Sequence, residues 1–333
     1  MVVSNQQRRT YGDTLALQYL HNTIFRNRSL QNAYDAMHNV NRASVNAGFH
    51  EWATSAGISQ RARTAMHKAL NVRTRKDFME NMGAVFAKLN YEPFMLRNEP
   101  YAMLVELDSP YAASLYTRKR AAPGPPQFAP KSSAWLAGVA MHRLRSRPAV
   151  LIPVYHGSNN NGVPVLAEGL VHEAIAHGIR HFVHIDDAMY SGLQKSEIVG
   201  LMNECLYTLQ TQKVRQTPRQ TPLLLWIGAA YATPGSRRAV LHEWKRYVRA
   251  VVRKNPPVRL TLYAPGTILP PRLPLLVRAE LWRKHQRPGP TMTVLPYKVP
   301  NSVSFGPAAL SVALSNTVAK PAYKNQRYKK TMA

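Results

Sequence analysis

Between residues 133 and 263 the chain alternates short apolar runs with longer helical stretches, and this alternation restricts the possible fold more than any other feature. Val150–Tyr155, Phe182–Ile185, Leu223–Ile227 and Arg259–Tyr263 read as strands. Ser133–Leu144, Val165–His177, Gln194–Thr211 and Arg237–Val252 read as the helices between them, with Gly178 ending the second. Parallel strands need a crossover, and a helix is the usual one, so the pattern predicts an α/β fold with a mainly parallel sheet. Ligands in such sheets bind beyond the strand C-termini.

One strand end carries unusual chemistry. Residues 181–196 read HFVHIDDAMYSGLQKS, in which an apolar strand delivers Asp186 and Asp187 into a small polar turn that opens a helix. Carboxylates accept hydrogen bonds from sugar hydroxyls, while backbone N–H groups at Ser191 and Gly192 suit a phosphate at the helix N-terminus. The bland reading of the same residues is a helix start, since an Asp pair after a parallel strand also serves as a cap.

The order of parts resembles the PRPP-binding motif of type I phosphoribosyltransferases, and most of all the divergent DDxxYSGxQ form in phosphoribosyltransferase-like proteins of large DNA viruses. The likeness covers about sixteen residues and is compatible with the strand and helix pattern of about 135–305. It implies that Asp186 and Asp187 take the ribose 2′ and 3′ hydroxyls and that Tyr190, Ser191, Gly192, Leu193 and Gln194 form the phosphate turn. It also implies that Mg2+ arrives with PRPP, most of its ligands coming from the pyrophosphate. Leu193 stands where the family has a second Gly, and Gln194 where it has a Thr or Ser. Hypoxanthine-type enzymes carry an acidic proton acceptor where this chain has Tyr190, which disfavours purine salvage of that type.

Further candidates flank the motif. His156 and Gly157, after Val150–Tyr155, stand where the family has a pyrophosphate loop. Thr233–Ser236 is another polar loop that opens a helix. Tyr297 and Phe305, in the closing segment TVLPYKVPNSVSF, are candidates to stack a base or to serve as core or lid. His172, His177, His181 and His184 crowd the motif, but the i, i+5 spacing of the first two and the odd separation of the last two do not make a transition-metal site.

The charge is strongly one-sided: 44 Lys and Arg against 17 Asp and Glu leave a formal +27. A polyanion, RNA or DNA, is the expected counterpart, bound through basic faces and a C-terminal tail with Lys320, Lys324, Arg327, Lys329 and Lys330. No acid lies between Asp108 and Glu168 and none follows Glu280, so the acid pair stands out against a basic background. The lone Cys205 rules out an intramolecular disulfide and thiolate-rich metal sites. No h-region with a cleavage site is found, and the longest apolar run, Leu223–Ala232, is about half a membrane span. An intracellular setting without a membrane partner is expected, with mitochondrial import left open by Arg8 and Arg9 and a virion setting by the viral resemblance.

The N-terminal part reads as helical over residues 13–90, with Ser29 as one cap and Thr74 as another, Asp77 lying three residues on. Ala102–Leu107 is a strand candidate before AAPGPPQFAPK. The expected organisation is a helical region at 1–120, a Pro-rich linker at 121–131, a phosphoribosyltransferase-like α/β domain at 132–310 and a basic tail at 311–333. Two functions compete: a phosphoribosyltransferase-like protein acting on PRPP or a related sugar phosphate, and a non-catalytic basic structural or nucleic-acid-binding component of a virion or ribonucleoprotein.

Overall fold

A computed structural model of the chain describes residues 5–26, 28–37, 40–109, 112–113, 128–156, 164–190, 192–211, 223–251, 259–286, 289, 291–298 and 307–315. Residues 121–127 of the linker, the cluster Arg118–Arg120 and the part of the basic tail beyond 315 lie outside these residues, whereas 311–315, expected in that tail, are helical. The N-terminal segment is helical as its periodicity demands: α1 (Asn5–Tyr19) running into a π-helical turn (Leu20–Phe25), α2 (Arg28–Asp35), α3 (Arg42–Ser55) and α4 (Gln60–Ala69). Ser29, expected at the start of a helix as its cap, lies one residue inside α2.

After the short strand β1 (Asn71–Val72) comes α5 (Arg75–Asn90). Thr74 caps it by accepting from Asp77 N–H, and Asp77 returns the bond to Thr74 N–H, the reciprocal box that satisfies two orphan donors. Phe78, Met82, Val85, Phe86 and Leu89 recur along its buried face, as their spacing requires. The one-turn helix α6 (Pro93–Leu96) leads to β2 (Tyr101–Asp108), whose residues are buried up to the last. Burial on both faces is the signature of a central parallel strand.

The remaining elements follow in order. They are β3 (Ala129–Pro130), α7 (Ser132–Ala140), β4 (Val150–His156), β5 (Val165–Leu166), α8 (Glu168–Ala176), β6 (His181–Met189), α9 (Leu193–Thr211), β7 (Leu224–Ala232), α10 (Pro234–Val251), β8 (Arg259–Tyr263), β9 (Gly266–Thr267), α11 (Leu275–Arg283), β10 (Thr293–Val294) and α12 (Ala308–Ser315). The strand and helix positions expected from the alternation are occupied, except that Val165–Leu166, expected to open a helix, form β5 and the helix starts at Glu168. The main difference is length: β6 runs on to Met189, so Asp186 and Asp187 lie within the strand, not at its end.

The main sheet runs β5-β4-β2-β6-β7-β8, with β3 on β2 and β9 on β7. Among the described residues of this sheet only β3 and β5 pair antiparallel. Taken in chain order, the parallel strands β2, β4, β6, β7 and β8 lie as 2-1-3-4-5, a doubly wound order whose direction of winding reverses between β2 and β6. The sheet thus begins before the Pro-rich stretch, since β2 is paired on both edges, to β4 and to β6. The helical region is joined to it as well: α1 packs on β4, where Tyr155 donates to Asp13 at 2.6 Å, and α5 packs on β7.

One hydrophobic cluster fills the sheet and its covering helices, including α7, which is buried from Ser133 onward. A second core lies apart from it. Val45, Phe49, Trp52 and Met66 of α3 and α4 meet Val277, Leu281, Val294, Leu310 and Leu314, which ties α3 and α4 to the last described elements, with the parallel pair β1–β10 alongside. Among the described residues no helix is long and apolar enough to cross a membrane.

Candidate functional site

The strands flanking the switch point part company at their C-terminal ends. Pairing of β2 with β6 stops at Leu104 and His184, whereas β2 stays with β4 to Asp108 and β6 with β7 to Met189. Two residues beyond the split, Glu106 and Asp186 face one another across it, and Lys195 from the first turn of α9 fills the gap. Its Nζ lies 2.7 Å from Asp186 Oδ2 and also bonds Glu106 Oε1. His184 Nε2 lies 2.8 Å from both Glu106 Oε1 and Lys195 Nζ, and His156, at the end of β4, is 3.4 Å from Glu106 Oε2. All five side chains are buried.

Such a cluster survives burial only because opposite charges meet. Burial is the largest influence on Glu106 and Asp186 and opposes their charge, yet Lys195, joined by His156 and His184 at Glu106 and by Lys298 and His184 at Asp186, outweighs it and holds both below the usual carboxylate range, Glu106 well below. Burial pulls the Lys195 ammonium down, and Asp186 and Glu106 lift it above its ordinary value. His184 is pushed down by burial and then by Lys195, so its imidazole stays neutral. A cation in a helix's first turn opposes the backbone dipole, and the two carboxylates compensate.

Asp187 faces a different set of groups. Its Oδ2 accepts from Tyr297 Oη at 2.6 Å and from Lys298 Nζ at 2.5 Å, while its Oδ1 is buried with no hydrogen-bond partner. Burial raises its pKa, Lys298 counteracts this, and the Asp186 charge adds to the rise. Ser132, at the start of α7, links the two acids: its hydroxyl donates to Asp186 Oδ1 at 2.8 Å and accepts from Lys298 Nζ at 3.2 Å.

The turn after β6 is held against the neighbouring one. Thr233 donates its hydroxyl to Tyr190 C=O at 2.6 Å and accepts from Ser236 N–H at 2.9 Å. Gly192 has φ +78°, and a Cβ there would lie 2.6 Å from Ser236 O and 2.7 Å from Ser236 Cα, so glycine is required twice over. The N-termini of α9 and α10 are thereby brought side by side.

The sequence candidates therefore meet different fates. Asp186, Asp187, His156, Tyr190 and Gly192 come together at the switch point, and Thr233–Ser236 supports the turn. Leu193 is the first residue of α9, and Gln194 beside it is exposed. Ser191, Gly157 and Phe305 lie outside the described residues. Tyr190 is buried, its hydroxyl unpartnered and its pKa pushed well up by burial and then by Asp187. Tyr297 is 4% exposed and packs edge-on against Trp135 and Phe78 at 5.0 and 5.3 Å; its ring belongs to the core and its hydroxyl to the site.

Glu106, Lys195, Lys298 and Ser132 were not foreseen. A lone Glu within the apolar run YAMLVELD was a readable signal, because an acid in a strand buried on both faces needs a buried partner. Among the described residues no group of three or more His, Cys, Asp or Glu could hold a metal ion, and His181 instead stacks on Phe94 and bonds Glu99. No protein-family model matches the chain, and neither curated proteins nor solved structures offer a match.

Proposed function

We propose that the chain binds a phosphorylated ribose, PRPP or a close relative, in the split between β2 and β6. The observation that carries this reading is Asp187 Oδ1, a buried carboxylate oxygen without a partner, beside a second acid and ahead of a glycine turn that opens a helix. A buried acceptor left unpaired is costly, and a ligand hydroxyl would satisfy it. In this role Lys195 keeps Asp186 ionised and fixed, while Tyr297 and Lys298 are the groups that a sugar hydroxyl joins or displaces at Asp187.

The donor set suits a metal carried in by the ligand. Asp187 offers one free oxygen, and the lack of a protein-side cluster among the described residues leaves most coordination of Mg2+ to a diphosphate. Within that complex the side chains contribute orientation and charge, the main levers in displacing pyrophosphate from C1 by a nitrogen base. Tyr190, with its pKa raised, stays protonated and does not serve as a base.

A second reading has its own support. Both acids already carry lysine partners, Lys195 on Asp186 and Lys298 on Asp187, which suits a fold reused as a basic structural or nucleic-acid-binding component. Calorimetric titration with PRPP and Mg2+ separates the two. Saturable binding that Asp187→Asn abolishes, with the melting temperature retained, supports the ribose site; absence of binding, or binding indifferent to Asp187→Asn, rejects it. On the second reading, RNA or DNA affinity falls steeply with salt while PRPP has no effect.

A further inference from the structure

We infer that α3, the turn after it and α4 form a helix-turn-helix that sets α4 in the major groove of double-stranded DNA. Only residues 56–59 separate the two helices. Gly57 stands in the left-handed region at φ +60°, and Ile58 N–H donates to Ala53 C=O at 2.9 Å, which ends α3. Ser59 then caps α4 by accepting from Ala62 N–H. A turn of this length with a glycine in it is the kind that joins the two helices of a helix-turn-helix. Phe49, Trp52 and Ala53 of α3, Ile58 of the turn, and Ala62 and Met66 of α4 share the second core. The turn is also fastened by polar bonds. Arg63 donates Nε to Ile58 C=O at 2.7 Å and Nη1 to the Thr54 hydroxyl at 3.0 Å. From α11, whose Val277 and Leu281 lie in the same core, Lys284 donates to Gly57 C=O at 2.6 Å and Glu280 accepts from Ser59 N–H and hydroxyl at 2.7 and 2.6 Å. A helix held this way presents its outer side chains from a rigid support.

Charge and side-chain chemistry select the partner. No acid lies between Glu51 and Asp77, a stretch that holds Arg61, Arg63, Lys68, Arg73, Arg75 and Lys76. On α4, Gln60, Arg61, Thr64 and Lys68 are exposed, and at 100° per residue they fall within an arc of about 100°, with Ala62 and Met66 on the far side. These are the side chains that read base edges: Arg and Lys on guanine, Gln on adenine, Thr on the thymine methyl. A helix about 10–12 Å across fits a major groove about 12 Å wide, whereas the deep, narrow major groove of duplex RNA shuts it out. A lipid surface needs an apolar strip, and this arc has none. The surface belongs to the second core, so the inference stands on either reading of the split between β2 and β6, and it gives part of the formal +27 a defined use.

The test measures binding of the full chain to duplex DNA of about 20 base pairs, roughly two helical turns, and then selects binders from a duplex pool of random sequence. Arg61→Ala/Lys68→Ala is expected to weaken duplex binding about tenfold or more. Arg238→Ala/Lys245→Ala removes the same charge from exposed positions of α10 and is expected to cost about threefold or less. Selection should enrich a sequence that Gln60→Ala/Thr64→Ala alters with no change of charge. All these positions are exposed, and an unchanged melting temperature verifies the fold; should a variant of α4 melt early, Arg61→Gln/Lys68→Gln or Gln60→Ser/Thr64→Ser repeats the measurement. Failure of the wild-type chain to bind duplex DNA overturns the inference. Equal losses from the two basic pairs, or a selection that enriches no sequence, overturn it by assigning the binding to charge at large. Duplex RNA bound as tightly as duplex DNA overturns it as well, because α4 would then not be in a major groove.

Discussion

Lys195 Nζ lies 2.7 Å from Asp186 Oδ2, and both side chains are sealed from water at the point where β2 and β6 separate. The same ammonium bonds Glu106, so one cation neutralises acids from two strands. Replacing it with methionine would leave two buried carboxylates facing each other. Lys195→Met is expected to destabilise the chain by about 3–5 kcal/mol in urea unfolding, and Lys195→Met combined with Glu106→Gln and Asp186→Asn is expected to recover part of that loss. A single variant as stable as the wild type would show that the gap admits water.

Acid should unfold the protein through this cluster. Glu106 and Asp186 are held below the ordinary carboxylate range, so their contribution is complete above about pH 4 and is lost as the pH falls through their depressed values. Asp187 acts in the opposite sense. Its pKa is raised, so it withholds stability while ionised and returns it on protonation, before the other two titrate. Unfolding midpoints across a pH series should therefore hold level or rise slightly on mild acidification and drop steeply below about pH 4, with Asp187→Asn removing only the first feature. A flat profile through pH 3 contradicts the assignment.

Gly192→Ala tests the turn. The substitution combines a left-handed backbone, φ +78°, with a methyl group driven against the Ser236 backbone. A loss of about 2 kcal/mol or more is expected from thermal or denaturant unfolding. Gly178→Ala is the comparison: its φ is +84° but a Cβ there meets nothing within 4 Å, so the backbone component alone should appear.

Tyr297→Phe separates ring from hydroxyl. The ring keeps its packing against Trp135 and Phe78, while Asp187 loses a 2.6 Å donor. A loss of about 1–3 kcal/mol is expected, together with a further rise of the Asp187 pKa, readable by carboxyl NMR titration. An unshifted titration would mean that Lys298 alone governs Asp187.

Much of the fold was legible because hydrophobic periodicity is a local signal. The α5 stripe from Phe78 to Leu89 and its Thr74–Asp77 box stand in the sequence as they stand in the structure. The strands after residue 150 were recognisable for the same reason, as was the strand, acid pair, turn and helix of 181–196. Ala102–Leu107 was readable as a strand, but nothing local marked it as the centre of the sheet. Strand order depends on pairing with segments far along the chain, and β2 meets β4 and β6 across intervening helices.

The amino-acid sequence alone determined which segments are strands and helices, the strong excess of cations, and the delivery of two aspartates to a glycine turn, because these depend on composition and neighbours a few residues apart. Only the tertiary structure decided what those aspartates touch. Ser132 lies 54 residues before Asp186 and 166 before Lys298, and Glu106 lies 89 before Lys195, yet all converge on one split between strands. Buried charges must find partners wherever folding brings backbone segments together, and a separation along the chain carries no record of that encounter.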